Sequence, residues 1–571
     1  MSAQPIRGSR TTRSIQIVCG AALLWGAVTI QNSRAARPNY VAITAENDAV
    51  RGENGPIVNL ATLRRNDPGH QSGNRGRGQQ VFRFETFGNE RFWTEAMRLP
   101  QGMMAKKITI RQALKEGLML DIEAVEPKMR AALLKEFKTD LSPQNAPLLN
   151  DPQATLKVVN ANAFAGLVAV DTNRDGVTRV ESGDKLGVAC AICHTTTNQA
   201  VYSEPGGGSV GKRVDGPGNF NLNMGALLAV ADNSRAYYPN LQAELGGKTI
   251  GRAPKGLTKD STEADFDAYL KNPRFYPRGT FDDTADGVGN PIVNVAFFRT
   301  DLSAPFGSSG ANNVLDHIAN GSYTVNLDLT TIATPEGRKF LKMSNPKSGD
   351  ELWRNYVAIL KETGVKGYPY VEARLSGKVG DPRSPTGRLV DQKKLLDLNA
   401  YTDSLPSPRG AVVSAVSAAS GRKVFKEQQC ISCHNVDQNK PVPPRLIDIH
   451  RVWPGYRPTV IAQRMWPKSP VQNAPGTFDD KAVTEDASGR REKRGFALPL
   501  LLDLARKPIF LHDASVHSLD ELLDPKRGAQ SPHPFYIRDA SKRNDLVNFL
   551  RSLEDKKPRP GSRQRLRQRS R

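Results

Sequence analysis

The stretch Cys190-Ala-Ile-Cys193-His194 recurs later as Cys430-Ile-Ser-Cys433-His434, and these two pentapeptides decide how the rest of the chain is interpreted. Two thiols three positions apart can form thioethers with the two vinyl groups of one porphyrin. The adjacent histidine is then held against one face of the ring, where its imidazole can bind the iron. The doubled motif predicts two covalently attached haems c, each held by two cysteines, with His194 and His434 as the proximal iron ligands.

Cysteine pairs at this spacing also occur in zinc sites and redox sites. A zinc site requires further Cys or His residues at finger spacing, and neither pentapeptide has them nearby. The chain has five cysteines, of which four belong to the two motifs. The fifth, Cys19, lies in a segment predicted to be removed, so no pair is left for a disulfide.

The first 35 residues have the pattern of a secretory signal. A basic start is followed by an apolar run over 15–30, and Ser33-Arg34-Ala35 then offers small residues at the positions that a signal peptidase reads. This pattern predicts a signal peptide over 1–35, cleaved near Ala35, and a periplasmic protein. The alternative is an uncleaved membrane anchor, although the apolar run is shorter than a comfortable membrane span.

The formal net charge of +22 is concentrated partly at the two ends. Residues 556–571 carry eight basic residues and no acidic residue, which predicts a basic disordered tail. Such a tail can remain solvated, or it can attract anionic lipid or an acidic redox partner protein. The partners predicted from charge are therefore a redox protein and peripheral contact with a membrane surface. The exported location argues against nucleic acid.

Residues 36–80 are polar and rich in Arg, Asn and Gly, which predicts a disordered linker. From Val81 to Trp93 the sequence becomes dense in aromatic residues and should dock on a folded body. This stretch resembles the opening of a group of exported bacterial di-haem c-type cytochromes. The resemblance implies an N-terminal haem c domain over 81–405, in which insertions elaborate the basic fold.

Apolar spacing within this region predicts several helices. They cover 108–137 with a break near Pro127, 154–170, 264–271 and 349–362. The predicted fold class is mainly α and loop-rich, with two cytochrome c-like haem domains.

The segment Asp171-Thr-Asn173-Arg-Asp175-Gly176 matches the start of an EF-hand-like loop, with oxygen ligands at alternate positions. The twelfth position of that loop is Ser182, whereas a calcium loop places a bidentate Glu there. The segment therefore predicts either a calcium site or an Asx-rich turn.

A second domain, a C-terminal cytochrome c domain, is predicted over 411–555. Val424 and Phe425 precede the second pair of cysteines by about one turn, as in the first helix of that fold. The closing helix is predicted over 541–554, with Ser541 as its N-cap. In cytochrome c folds the first and last helices cross, so these two helices should pack together.

The stretches 495–504 and 509–523 are similar to the C-terminal part of bacterial di-haem cytochrome c peroxidases, a superfamily that includes the methylamine dehydrogenase-maturing enzyme. In that superfamily a comparable turn around a histidine, here His512, leads into a helix. This sequence departs from the pattern at Ala514, where Gly is usual. No Met follows Met465, so the downstream Met ligand of the peroxidases' high-potential haem is not carried over.

The sequence leaves the distal iron ligands open. A thioether ligand raises the reduction potential of a haem, and a second histidine lowers it. The candidates at the second haem are Met465, His450, His512 and His517, with Met465 and His512 the preferred metal ligands. The candidates at the first haem are Met224, Met343 and His317. Either iron could also keep an open position.

The function that follows from these patterns is electron transfer by an exported di-haem c-type cytochrome. The alternative is a peroxidase-like or oxygenase-like di-haem oxidoreductase, in which one iron has an open position. A haem-based sensor or a structural module is a third interpretation. No catalytic acid or base can be named from the sequence.

Overall fold

The structure is a computed structural model, and it describes the chain in several ranges. These are 73–249, 251–303, 306, 315–381, 383–428, 430–432, 434–437, 499–527, 533 and 535–555, together with short strands at 49–50, 58–59, 446–447 and 496–497. All of them belong to one compact unit, Ala42–Arg571. The predicted signal peptide, most of the predicted linker, Cys433, His450, Met465 and the basic tail lie outside the described residues.

Helices provide most of the regular structure in the described ranges. The α-helices are α1 Arg75–Phe84, α2 Asn89–Arg91, α3 Leu99–Ala105, α4 Ile110–Lys115, α5 Pro127–Glu136, α6 Pro152–Asn160, α7 Met224–Leu228, α8 Glu263–Lys271, α9 Thr300–Ser303, α10 Leu315–Gly321, α11 Pro335–Ser344, α12 Gly349–Glu362, α13 Gln392–Ser404, α14 Ala415–Glu427, α15 Leu519–Leu522 and α16 Ala540–Arg551. Two π-helical turns, Phe92–Ala96 and Ser322–Asn326, continue α2 and α10.

The strands are short and form small sheets. They pair as Leu167–Val170 with Lys185–Val188, Thr195–Thr197 with Arg213–Asp215, Glu244–Leu245 with Lys248–Thr249, Thr280–Phe281 with Ile292–Val293, Arg374–Asp381 with Ser384–Leu389, Ala49–Val50 with Val58–Asn59 and Leu446–Ile447 with Phe496–Ala497, all antiparallel. Ser209–Gly211 lies between Leu120–Asp121, which is parallel to it, and Tyr202–Ser203, which is antiparallel.

Helix α1 crosses α13, and a glycine makes the crossing close. A Cβ added at Gly78 would lie 1.9 Å from the carbonyl oxygen of Asp397 and 2.8 Å from the Cβ of Tyr401. The ring of Phe82 meets that of Tyr401 edge to face, with 5.7 Å between centroids. The backbone N–H of Asn74 donates to the Asp397 carboxylate over 2.5 Å. Helices α1 and α13 are far apart in the sequence, so their contacts hold the start and the end of this region together.

Helices α14 and α16 cross in the same way. A Cβ at Gly421 would lie 2.0 Å from the carbonyl oxygen of Asp545 and 2.6 Å from the Cβ of Phe549. Phe425 and Phe549 meet edge to face at 5.9 Å, and the Ser417 hydroxyl donates to Asp545 over 2.6 Å. The predicted packing of the first and last helices of the C-terminal region is therefore confirmed.

The two crossings repeat one pattern. Gly78-Gln-Gln-Val81-Phe82 corresponds to Gly421-Arg-Lys-Val424-Phe425, and in each copy the residue four before the glycine binds the aspartate of the partner helix. In the second copy the first cysteine follows Phe425 by only five residues. In the first copy residues 85–189 lie between α1 and the cysteine motif, so this is where the first region is enlarged.

Most aromatic side chains of the segment 81–93 are buried, as the sequence predicts, whereas Phe84 is 36% exposed. Phe82, Phe87, Phe92 and Trp93 are each no more than 2% exposed. The predicted boundary at residue 80 is wrong, because α1 begins at Arg75 and includes residues that the linker prediction covered. The Asn74 side chain caps this helix by accepting from the backbone N–H of Arg77.

Three of the predicted helical segments are found and one is corrected. The segment 108–137 contains α4 and α5 with the break before Pro127, and the helices at 264–271 and 349–362 are α8 and α12. The helix predicted over 154–170 ends at Asn160, and 167–170 is a strand. Asn162 and Gly166 have φ values of 53° and 80°, which an α-helix does not allow.

The closing helix also begins earlier than predicted. Its N-cap is Asp539, whose carboxylate accepts from the backbone N–H of Lys542, and Ser541 lies inside the first turn. An N-cap aspartate satisfies a free amide and interacts favourably with the helix dipole. Among the described residues, no helix has both the length and the apolar character that a membrane crossing needs.

Candidate functional site: two Cys-X-X-Cys-His turns

The first motif forms a tight turn at the end of a strand. Residues Cys190–Ile192 form one turn of 3₁₀-helix, and the backbone N–H of His194 donates to the Cys190 carbonyl over 3.2 Å. Gly166 passes so close to this turn that a Cβ would lie 1.9 Å from the Ile192 nitrogen, and its φ of 80° also favours glycine. The turn is therefore fixed from behind by backbone.

The buried amide of Asn89 anchors the strand that leads into the motif. Its side-chain N–H donates to the Val188 carbonyl over 2.8 Å, and its oxygen accepts from the Val188 N–H over 2.9 Å. Asn89 is fully buried, so these bonds satisfy both backbone polar groups of Val188 away from water.

His194 is held in a single orientation. Its Nδ1 lies 2.7 Å from the carbonyl oxygen of Val295, and its ring stacks on Phe297 with 3.8 Å between centroids and 4° between planes. Burial lowers the pKa of His194 to about 4, although the bond to Val295 opposes this, so the imidazole is neutral at neutral pH. With Nδ1 occupied by the carbonyl, Nε2 is the nitrogen that can bind a metal, an arrangement typical of metal-binding histidines.

The two thiols of the first motif are unpaired and lie in apolar surroundings. Burial raises the pKa of Cys190 to about 11 and that of Cys193 to about 12, so both are thiols at neutral pH. The Cys190 sulfur lies 3.2 Å from the Tyr323 hydroxyl. A covalent haem c requires two sulfurs and one neutral imidazole in this order, and the three side chains fit that requirement.

Asn219 clamps the turn from the other side. Its backbone N–H donates to the Cys193 carbonyl over 2.8 Å, and its side-chain N–H donates to the carbonyls of Ile192 and Gly117 over 3.3 and 3.0 Å. The Asn219 carbonyl accepts from the side chain of Asn294 over 3.0 Å. This residue, 1% exposed, joins the motif to two other parts of the chain.

Replacing Asn219 with Ala should lower the free energy of unfolding by about 1–3 kcal/mol, because two buried carbonyls lose their donor. Denaturant unfolding followed by circular dichroism measures the change. The matched control is Asn221→Ala, because Asn221 is partly exposed and its side chain donates only to the Gly207 carbonyl. An equal loss in both variants would contradict a specific role for the clamp.

One extended segment connects the first motif to the C-terminal region. The carbonyl of Val295 binds His194, and two residues earlier the N–H of Val293 donates to the His512 carbonyl over 2.6 Å. Arg252, which is 8% exposed, forms an ion pair with Asp513 next to this turn, at 3.5 Å. The predicted His512 turn therefore packs against the segment that orients His194.

The second motif adopts the same local geometry as the first. Residues Cys430–Ser432 form a 3₁₀ turn, and the His434 N–H donates to the Cys430 carbonyl over 2.9 Å. Burial lowers the pKa of His434 to about 4, and its Nδ1 is buried with no hydrogen bond from the described residues. Cys433 lies outside the described residues, so the second thiol of this motif stays a prediction.

His533, which no sequence pattern singled out, lies close to His434. The two ring centroids are 6.4 Å apart, and the ring planes are inclined by 49°. The Nδ1 of His533 is also buried without a hydrogen bond from the described residues. The sequence separation of 99 residues gave no local pattern that could have identified this pair.

The remaining ligand candidates are placed in different environments. At the first haem, Met224 is 1% exposed within the large hydrophobic core, and Met343 is 58% exposed and touches Gly380 of a surface hairpin. His317 is half-buried on α10. At the second haem, the side chain of His512 is half-buried and that of His517 is exposed. These positions do not identify a distal ligand for the haem predicted at the first motif.

The EF-hand-like segment forms a turn in which carboxylates and the Asn173 side chain bind backbone amides. Asp171 accepts from the N–H groups of Arg174 and Gly176 over 2.7 and 2.8 Å, and Asp175 accepts from Val177 over 2.8 Å. The described ranges contain no group of three or more His, Cys, Asp or Glu side chains arranged to hold a metal ion. The geometry is that of an Asx-rich turn, and calcium binding stays a prediction.

Comparison with known proteins adds one structural likeness. No family model matches the chain, and no curated protein matches it. Among solved structures, the chain is similar to Kuenenia stuttgartiensis hydrazine synthase pressurised with 20 bar xenon, with 14% sequence identity and a TM-score of 0.21. The likeness covers 47% of this chain and 74% of that chain, and at that TM-score it supports no statement about the fold or the function of this protein.

Proposed function

We propose that this protein is an exported di-haem c-type cytochrome that transfers electrons through two covalently bound haems. The observation that carries the proposal is the orientation of His194 beside two unpaired thiols. Its Nδ1 is bound by the Val295 carbonyl at 2.7 Å, which leaves Nε2 for the iron. The same turn geometry at His434 supports a second haem.

The residues of the chain bind, orient and shield the two groups. Cys190, Cys193, Cys430 and Cys433 would hold the porphyrins covalently, and His194 and His434 would supply the proximal ligands. When bound, each haem supplies an iron that exchanges one electron between the ferrous and ferric states. The burial of both imidazoles keeps them neutral, so the protein presents ligands that need not lose a proton first.

The sequence supports the rest of the proposal. The signal segment over 1–35 supports a periplasmic location, where covalent haem c attachment takes place. The positive charge of the basic tail supports binding to an acidic redox partner protein or to an anionic membrane surface. The donor and the acceptor of the electrons would be other redox proteins.

Coexpressed with a haem-attachment system, the exported protein should carry two haems that survive denaturation. A pyridine haemochrome assay and the intact mass measure this number. The double substitution Cys190→Ala with Cys193→Ala should leave one haem per chain, and Cys430→Ala with Cys433→Ala should leave the other. The matched control is Cys19→Ala, because Cys19 lies outside both motifs.

Two results would contradict the proposal in different ways. One haem or none in the wild-type chain would remove the cofactor assignment. Rapid reaction with peroxide, together with turnover of a reduced cytochrome donor, would retain the haems but replace electron transfer with enzyme chemistry. Electron exchange with a small cytochrome, without consumption of peroxide, is the result that the proposal expects.

A further inference from the structure

His434 and His533 form a pair of half-buried imidazoles. One nitrogen of each ring is buried and lacks a hydrogen bond from the described residues. A buried polar atom without a partner is unfavourable by about 1–3 kcal/mol. The nitrogen concerned is Nδ1 in both rings, and Nε2 is the nitrogen that the proximal histidine of such a motif offers to an iron.

The separation of the two rings matches the span of one metal ion. A bond from a metal to a histidine nitrogen is about 2.0–2.1 Å long, and that nitrogen lies about 1.1–1.2 Å from the ring centre, so two imidazoles on opposite sides of a metal have centres about 6.3–6.5 Å apart. The centroids of His434 and His533 are 6.4 Å apart.

The backbone holds His533 in this position. Its φ is 54°, a conformation that non-glycine residues seldom adopt, and its carbonyl accepts from the N–H of Phe535 over 2.8 Å. The ring of Phe535 packs edge to face on the imidazole at 5.2 Å. An uncommon backbone conformation at a residue whose ring lies beside the proximal histidine is consistent with a functional constraint.

We propose that His533 is the second axial ligand of the haem bound at Cys430 and Cys433, so that this iron is coordinated by two histidines. The inference rests on the proposed function, because it requires a haem at the second motif. It assigns the distal position to a residue other than Met465 and His512. Two imidazole ligands leave this iron no position for peroxide or oxygen and lower its reduction potential relative to a thioether ligand.

The test uses the oxidised, haem-loaded protein and its His533→Ala variant. Electron paramagnetic resonance should show that the variant has lost the low-spin signal of one iron per chain and gained a high-spin signal. Added imidazole should restore the low-spin signal in the variant, because the free ligand can occupy the vacated position. The variant His533→Met should keep this iron low-spin, raise its reduction potential and introduce the charge-transfer band of a thioether–iron bond.

Control variants distinguish the competing assignments. His70→Ala, in the predicted linker, should leave the spectra unchanged, and so should Met465→Ala and His512→Ala. An unchanged low-spin spectrum in His533→Ala, with two haems per chain, overturns the inference. If that variant does not accumulate, an unchanged potential in His533→Met overturns it equally. A wild-type chain with fewer than two haems contradicts the proposed function instead, so the two failures can be told apart.

Discussion

The substitution Gly78→Ala is expected to destabilise the protein by about 1–3 kcal/mol, whereas Gly76→Ala in the same helix is expected to stabilise it by about 0.5–1 kcal/mol. Alanine favours a helix over glycine at both positions. At Gly78, however, the new methyl group would lie 1.9 Å from the Asp397 carbonyl oxygen, so α1 and α13 must separate. At Gly76 the nearest atom would be 3.4 Å away.

The measurement is the midpoint of denaturant unfolding of the haem-loaded protein, compared for the two single variants. Gly421→Ala provides an independent repeat, because its methyl group would lie 2.0 Å from the Asp545 carbonyl oxygen. Equal stability of the Gly78→Ala and Gly76→Ala variants would contradict the close packing of α1 on α13. If Gly78→Ala destabilised the protein and Gly421→Ala did not, the two crossings would differ in how closely their helices pack.

A second large effect is expected at Asp328, which is fully buried. Its carboxylate accepts from the N–H groups of Tyr370 and Val371 over 2.8 and 2.7 Å, and from the N–H and hydroxyl of Thr330. Asp328→Ala leaves these donors buried without an acceptor, so the free energy of unfolding should fall by about 3–5 kcal/mol. Calorimetry of the haem-loaded protein should show the lowered transition.

Graded variants test the cause of that loss. Thr330→Val removes one donor and leaves the carboxylate in place, so it should cost only about 1 kcal/mol. Asp520→Ala removes an exposed carboxylate and should change stability by less than about 0.5 kcal/mol. Equal stability of Asp328→Ala and Asp520→Ala would mean that the four hydrogen bonds do not hold this segment.

Local patterns predicted the elements that depend on neighbouring residues. The break before Pro127 was predictable because proline fits the first turn of a helix, and burial of the aromatic segment was predictable from its density. The end of α6 was not, because Asn162 and Gly166 adopt left-handed conformations that the apolar pattern does not reveal. The start of α1 was not predictable, because an Arg- and Gly-rich sequence has the composition of a linker.

The candidate site also combines features that the local sequence predicts with contacts that only the fold creates. The spacing of Cys190, Cys193 and His194 identifies the attachment turn, because that chemistry is local. The partners that orient His194 are the Val295 carbonyl and the Phe297 ring, roughly a hundred residues later in the chain. A backbone carbonyl carries no sequence signal, so such contacts emerge only from the fold. The same holds for His533, which comes near His434 through the path of the chain.

The crossing of α1 and α13 also affects how the protein folds. Asn74 and Asp397 are 323 residues apart, whereas Ser417 and Asp545 are 128 apart. A chain that emerges N-terminus first presents α1 long before its partner exists, so the closure of the first crossing waits for the last helix of that region. Closing longer loops costs more entropy and slows folding. The second crossing can therefore close after a much shorter stretch of chain has emerged, while α1 stays without its partner through more than half of synthesis.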